Sequence, residues 1–118
     1  MSIKKYAING NEYMFFNDSY GNRSGFVHKT ALHLNDRLIG ENKIQYYNRT
    51  WECYTYQSVM KRVVRALLEE EFNIFKEGWK LSHNVKRLTK AKESEMMQDL
   101  AENKPAIYAD LQELYMLL

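Results

Sequence analysis

The sequence predicts an α+β fold, in which a small antiparallel sheet precedes a set of helices. Up to residue 48 the chain alternates between apolar and polar side chains, with turn-forming residues between the alternating runs. From Tyr56 the apolar residues follow the i, i+3, i+4, i+7 spacing of an amphipathic helix. Because strands come first and helices second in a chain of 118 residues, we expect a single α+β domain spanning residues 1–118.

Three or four antiparallel strands are expected within residues 4–48. Asn9-Gly10 separates two apolar runs and tolerates the positive φ angles of a type I′ hairpin turn. Residues 17–25 are nearly all turn formers, which predicts a loop. Residues 26–35 alternate regularly, and the chain is expected to return as a strand over residues 38–48.

Three helices are predicted after the sheet. The first is long and amphipathic and covers residues 55–77, with Thr55 as its N-cap and Gly78 just past its end. The apolar stripe then weakens, and a second helix is predicted over residues 85–103. Pro105 suits the first position of a third helix over residues 105–117. The expected contacts between sheet and first helix involve Leu32, Leu34, Ile44, Val59, Val63 and Leu67.

Composition indicates an ordered protein of a reducing compartment. Hydrophobic residues make up 45% and charged residues 27%, which disfavours disorder. Cys53 is the one cysteine, so no intramolecular disulfide can form. The first residues lack the apolar run of a signal peptide, and no apolar stretch approaches a membrane span. We therefore expect a cytoplasmic protein that makes no membrane contact.

Residue patterns for catalysis or metal binding are missing from the sequence. His28 and His33 fall on opposite sides of a predicted strand, and neither forms a ligand motif with His83 or Cys53. Glu52 precedes Cys53, and its negative charge disfavours a reactive thiolate. No phosphate-loop glycine pattern occurs. We expect no metal and no cofactor, and we expect that the protein is not an enzyme.

The junction between the sheet and the first helix is the first candidate binding segment. It is rich in aromatic residues with a basic group among them, and its candidate partner-binding residues are Tyr46, Tyr47, Arg49 and Trp51. Tyr, Trp and Arg dominate interface hot spots, and aromatic rings beside basic groups also stack nucleobases. Alternatively, the aromatic rings seal the helix onto the sheet, and Arg49 pairs with Glu52.

A basic segment is the second candidate. Net charge is only +2, too small to indicate nucleic acid by itself. Five basic residues nevertheless precede the next acid, Glu93, and they are Lys80, Lys86, Arg87, Lys90 and Lys92. As part of a helix, Lys86 and Lys90 would share a face. This segment suits a phosphate backbone or an acidic protein groove, and the alternative is a solvated helix face.

Four stretches of the chain form a set, namely SGFVH at residues 24–28, DR at 36–37, YYNRTWE at 46–52 and YQSVM at 56–60. Together they resemble a group of small, mostly uncharacterised proteins encoded by phages, plasmids and other mobile elements of Gram-positive bacteria. The resemblance implies a cytoplasmic accessory protein of a mobile element and assigns no active-site residue. Small proteins of that kind include anti-CRISPR inhibitors and other anti-defence factors.

Two functions are therefore expected alternatives. The first is a protein-binding inhibitor of a host defence complex, whose partner is a host protein or a ribonucleoprotein such as a CRISPR effector. The second is a DNA- or RNA-binding accessory or regulatory protein. Either function is compatible with a monomer or a homodimer.

Overall fold

Four antiparallel strands pair in chain order to form one sheet. The computed structural model describes residues 1–23, 25–47 and 55–118, apart from the side chains of Asn22, Tyr46 and Tyr47. The strands are β1 Ser2–Ile8, β2 Asn11–Asn22, β3 Gly25–Leu34 and β4 Arg37–Tyr47. The predicted antiparallel sheet is thus confirmed, and each strand lies beside the strand that follows it in sequence.

Tight turns with positive φ angles fix the register of two of the hairpins. Asn9 and Gly10 have φ angles of 51° and 81°, which confirms the predicted Asn-Gly turn between β1 and β2. Asn35 and Asp36 adopt φ angles of 47° and 68° between β3 and β4. The Asn35 side chain also accepts a hydrogen bond from the backbone N–H of Glu12 at 2.8 Å, which joins the second turn to the start of β2.

The prediction of a loop over residues 17–25 is wrong, because β2 continues to Asn22 and β3 begins at Gly25. Asn17 is buried, and the Thr30 hydroxyl donates to its side-chain oxygen at 2.6 Å. The Asn17 amide in turn lies 3.7 Å from the Met60 sulfur. Partners on β3 and on the first helix satisfy this polar side chain inside the protein, so pairing overrides the local turn preference.

The three helices are α1 Tyr56–Ser82, α2 Lys90–Glu102 and α3 Ala106–Leu117. Thr55 caps α1 as predicted, its side chain accepting from the N–H of Ser58. Gly78 does not end α1. The helix continues because Trp79 is buried and its indole N–H donates to Asp99 of α2 at 2.6 Å.

The second helix is shorter than predicted at its start. Residues 85–89 are not helical, and Thr89 caps α2 instead, accepting from the N–H of Lys92. Asn84 has a φ angle of 54° just after α1, and the N–H of Val85 bonds back to the carbonyl of Lys80 at 2.8 Å. This left-handed cap turns the chain away from the helix axis.

One hydrophobic core joins the sheet to α1 and α3. Its fully buried members are Ile8, Tyr13, Phe15, Leu32, Met60, Val63, Val64, Leu111 and Leu114. Leu32, Ile44, Val59 and Val63 are buried as predicted, while Leu34 and Leu67 pack against the core with partial exposure. Because side chains alternate along a strand, α1 and α3 cover the face that carries Tyr13, Phe15 and Leu32.

Candidate functional site

The face of the sheet that points away from α1 and α3 carries a patch of apolar side chains that are not among the residues of the hydrophobic core. Directly paired residues lie side by side on one face. The pairings Lys5–Met14, Met14–His33 and His33–Leu38 form one row across all four strands. The next row runs through Ile3, Phe16, Ala31 and Glu41. We call the apolar members of the two rows, together with the His33 ring between them, the open-face patch, which comprises Ile3, Met14, Phe16, Ala31, His33 and Leu38.

The open-face patch is half exposed at its two edges and partly buried at its centre. Ile3 on one edge strand is 50% exposed, and Leu38 on the other is 51% exposed. Between them, the rings of Phe16 and His33 meet edge to face with centroids 4.8 Å apart. The solvent face of an antiparallel sheet usually alternates to polar residues. Apolar side chains in adjacent rows across four strands form a surface suited to another molecule.

Charged residues border the open-face patch on one side. The row after Phe16 pairs Asp18 with Lys29, and Lys29 with Lys43. Lys29 also forms an ion pair with Glu41 at 3.7 Å. A groove of about 360 Å³ opens beside these residues, with Tyr20 at its margin. An apolar centre bordered by polar side chains is the usual anatomy of a protein interface.

The structure divides the predicted basic segment among three elements. Lys80 lies in the last turn of α1, whereas Lys86 and Arg87 lie in the non-helical connection. Lys90 and Lys92 begin α2. The expected helical face shared by Lys86 and Lys90 is therefore wrong, since α2 starts only at Lys90.

Charge pairing further separates the basic residues. Lys80 lies 3.9 Å from Glu77, and Lys92 lies 3.3 Å from Glu95. Lys86, Arg87 and Lys90 are exposed and form no ion pair with any residue in the described ranges. These three residues retain free positive charge, next to an α2 N-terminus that adds its own partial positive charge.

The aromatic junction is described only at its margins. The backbones of Tyr46 and Tyr47 end β4, paired with Phe26 and Gly25. Their side chains lie outside the described part, as do Arg49, Trp51 and Cys53, so the prediction made for these residues stays a prediction. Tyr56, at the other margin, contacts the His28 ring with centroids 4.9 Å apart and donates to Ser19 at 3.1 Å. This tyrosine does seal the helix onto the sheet.

A buried carboxylate that sequence reasoning missed positions the first hairpin. Asp110 of α3 accepts hydrogen bonds from Asn9 at 2.8 Å, from Asn11 at 2.9 Å and from the Tyr13 hydroxyl at 2.8 Å. The sequence does contain a signal for this buried acid. Asp110 follows Ile107 by three residues and therefore lies on the apolar stripe of α3. An acid on a buried helix face needs partners, and a hairpin with two asparagines supplies them.

The pKa shifts of Asp110 and Tyr13 indicate a structural role for this cluster. Burial by itself raises the pKa of the Asp110 carboxyl, but the donors Asn9, Asn11 and Tyr13 outweigh it and hold that pKa below its usual range. Burial, together with the hydrogen bond and negative charge of Asp110, raises the pKa of the Tyr13 hydroxyl above its ordinary value. Both shifts keep the carboxylate charged and the phenol neutral, which opposes proton transfer between them.

Comparison with known proteins finds no matching family model, no matching curated protein and no matching solved structure. Within residues 1–23, 25–47 and 55–118, no three His, Cys, Asp or Glu side chains come together as potential metal ligands. None of the described helices is long and apolar enough to cross a membrane. The open-face patch and the exposed charges of Lys86, Arg87 and Lys90 are two surface features of the described residues that a binding function would explain.

Proposed function

We propose that this protein is a non-enzymatic binding protein and that the open-face patch docks a protein partner. The observation that carries the proposal is the continuity of apolar side chains across four strands on the face away from the helices. Leaving Ile3 and Leu38 half exposed to water is unfavourable, by about 25 cal/mol for each Å² of apolar surface. Covering them with a partner recovers that free energy.

The charges around the open-face patch favour a protein over a nucleic acid. The face carries three lysines, Lys5, Lys29 and Lys43, and three acids, Glu12, Asp18 and Glu41. A phosphate backbone approaching this face would meet as many negative groups as positive ones. A protein partner with charges of both signs at its rim would find complementary groups.

The nature of the partner rests on the resemblance to proteins of mobile elements. A small protein of that kind acts on the machinery of its host, and occlusion of a host complex needs a docking surface and no active site. Our proposal is therefore an inhibitor that binds a host defence protein or ribonucleoprotein, such as a CRISPR effector, in the manner of anti-CRISPR proteins. In this proposal the residues predicted at the junction, Tyr46, Tyr47, Arg49 and Trp51, also contact the partner.

The test is capture from nuclease-treated bacterial lysate, followed by titration of the captured protein after it has been purified. We expect a stoichiometric complex that survives nuclease. Ile3→Glu and Leu38→Glu should each weaken it at least about tenfold, which is the effect of a modest hot spot. Both residues are half exposed, so the melting temperature should change little.

Met116→Glu is the matched control, because Met116 is 84% exposed on α3, away from the open-face patch. This variant should bind like the wild type. Equal binding by wild type, Ile3→Glu and Leu38→Glu would refute the proposed docking surface.

Nucleic-acid binding is the second candidate function, and the free charges of Lys86, Arg87 and Lys90 favour it. Replacing all three by glutamate should then weaken binding to a short DNA or RNA duplex. Removing three phosphate contacts should also flatten the slope of log K against log salt by about three. Duplex binding that is unaffected by this triple variant would exclude these residues as the contact.

A further inference from the structure

The tip of the first hairpin joins an asparagine to a glycine. Asn9 is the one asparagine, among ten in the chain, that a glycine follows. Because Gly10 has no Cβ, its backbone nitrogen can approach the side-chain carbon of the preceding residue with little steric hindrance. Both residues are exposed, and a Cβ built on Gly10 meets nothing within 4 Å, so water reaches this turn freely.

The turn can change conformation at its tip without loss of strand pairing. The β1–β2 ladder ends at the pair Ile8–Asn11, so the Gly10 N–H lies outside it. Asn9 and Gly10 hold left-handed φ angles, a conformation that residues with a Cβ rarely adopt. Asn9 can therefore leave that conformation without breaking a hydrogen bond of the ladder, and the Gly10 nitrogen stays available for reaction.

The side-chain amide of Asn9 faces two acids of α3. Its Nδ2 donates to Asp110 Oδ1 at 2.8 Å and to Glu113 Oε2 at 3.4 Å. Asp110 is buried, and within residues 1–23, 25–47 and 55–118 neither acid forms an ion pair with a basic side chain. An amide suits this place because it presents N–H donors, whereas an ionised carboxylate has none.

We propose that Asn9 is a site of spontaneous deamidation and that its product loosens α3 from the first hairpin. The Gly10 nitrogen attacks Cγ of Asn9. The N–Cγ bond forms, the Cγ–Nδ2 bond breaks, and Nδ2 leaves as ammonia with the proton of the Gly10 N–H. Water then opens the resulting succinimide at one of its two carbonyls. Its hydroxyl joins that carbon, a proton returns to the Gly10 nitrogen, and the chain continues as aspartate or isoaspartate.

Either product replaces a hydrogen-bond donor at the hairpin tip by a carboxylate. That group is ionised at neutral pH, and it meets the carboxylates of Asp110 and Glu113, which disfavour a further negative charge. Asp110 is also the group that joins α3 to Asn11 and Tyr13 of β2, so the repulsion acts on the attachment of α3. No step regenerates the amide, and the loosened fraction therefore grows with the age of the protein.

Mass spectrometry of ageing protein tests the reaction. Wild-type protein is kept in mildly alkaline buffer, and its peptides are mapped at intervals. We expect Asn9 to exchange NH for O before any other asparagine, with isoaspartate appearing at the same position. Asn35, which precedes Asp36 in the tight turn between β3 and β4, is the internal comparison. Deamidation of Asn35 ahead of Asn9, or an Asn9 peptide unchanged after weeks, would overturn the proposed site.

Two substitutions separate the new charge from the loss of the amide. Asn9→Asp supplies the carboxylate of the product, whereas Asn9→Gly removes the amide, adds no charge and suits the left-handed turn. Both variants should fold, because Asn9 is exposed. Asn9→Asp should melt at least about 4 °C below Asn9→Gly. Hydrogen exchange of the α3 amides should be at least about fivefold faster in Asn9→Asp.

A double-mutant cycle identifies Asp110 as the group that the new charge meets. The melting temperature lost through Asn9→Asp should fall to about half or less when Asp110→Asn is already present, because the amide opposite the new carboxylate then carries no negative charge. An equal loss in both backgrounds would overturn the proposed effect on α3. Asn9→Asp and Asn9→Gly variants that match in melting temperature and in hydrogen exchange of α3 would overturn it as well.

Discussion

Replacing Asp110 by alanine should destabilise the protein by detaching α3 from the first hairpin. The substitution removes one acceptor that serves three donors, namely Asn9, Asn11 and the Tyr13 hydroxyl. The three donors lose different amounts of free energy because their exposure to water differs. Tyr13 is fully buried and its hydroxyl cannot reach water, whereas Asn9 is exposed and Asn11 is partly exposed.

The magnitude follows from that difference. An unsatisfied buried donor costs about 1–3 kcal/mol, which applies to the Tyr13 hydroxyl. The two asparagines exchange the carboxylate for water and lose about 0.5 kcal/mol each at most. The sum is about 1–4 kcal/mol, or roughly 4–16 °C in melting temperature at about 4 °C per kcal/mol.

Urea unfolding of four proteins measures this coupling: wild type, Tyr13→Phe, Asp110→Ala and the double variant. We expect the double variant to lose less than the sum of the two single losses, by at least about 1 kcal/mol, because phenylalanine leaves no orphaned donor. Glu113→Ala is the control, since Glu113 contacts the Asn9 amide only at the surface, at 3.4 Å. Additive single losses, or an Asp110→Ala variant as stable as Glu113→Ala, would refute the buried-acceptor account.

Other predictions concern pH and packing. Because the pKa of Asp110 is lowered in the folded protein, its carboxylate stabilises the fold above the pKa of an unfolded carboxyl group, about 4, and this stabilisation is lost as pH falls through the pKa in the folded protein. The difference in unfolding free energy between wild type and Asp110→Asn, measured in urea, should therefore narrow in acid. The raised pKa of Tyr13 gives stability that is present below about pH 10 and lost as pH rises, so Tyr13→Phe should flatten the alkaline decline in melting temperature. Gly40→Val should cost about 1–3 kcal/mol, because even a Cβ there lies 3.1 Å from Leu67; Leu67→Ala in the same chain should relieve part of that cost. Val63→Asp should unfold the domain, since an unpaired buried charge costs several kcal/mol, and a circular-dichroism melt like that of the wild type would contradict this.

The local signals in the sequence identify the elements whose structure depends on near neighbours. The Asn9-Gly10 turn and the Thr55 cap both depend on side chains within a few residues, and both are confirmed. Residues 17–22 could not be recognised as a strand from sequence, because Asn17 is satisfied by Thr30 and Met60, which are distant in the chain. The run of α1 past Gly78 likewise depends on the pairing of Trp79 with Asp99.

The open-face patch illustrates a different limit of sequence reasoning. Residues 13–16 place Tyr13 and Phe15 on one face of β2 and Met14 and Phe16 on the other. Both faces are apolar, so alternation alone cannot say which one meets the helices. In the structure the Tyr13 hydroxyl donates to Asp110 of α3, and Phe16 lies on the other face.

The order of the elements has a consequence for synthesis on the ribosome. Every strand pairs with the next one in sequence, so the sheet can form hairpin by hairpin as the chain emerges. The acceptor for Tyr13 lies 97 residues further on. At about 5–20 residues per second, roughly 5–20 s pass before α3 is made. During that time the aromatic inner face of β2 lacks its final cover, so this interval is when we expect the nascent chain to depend most on chaperones.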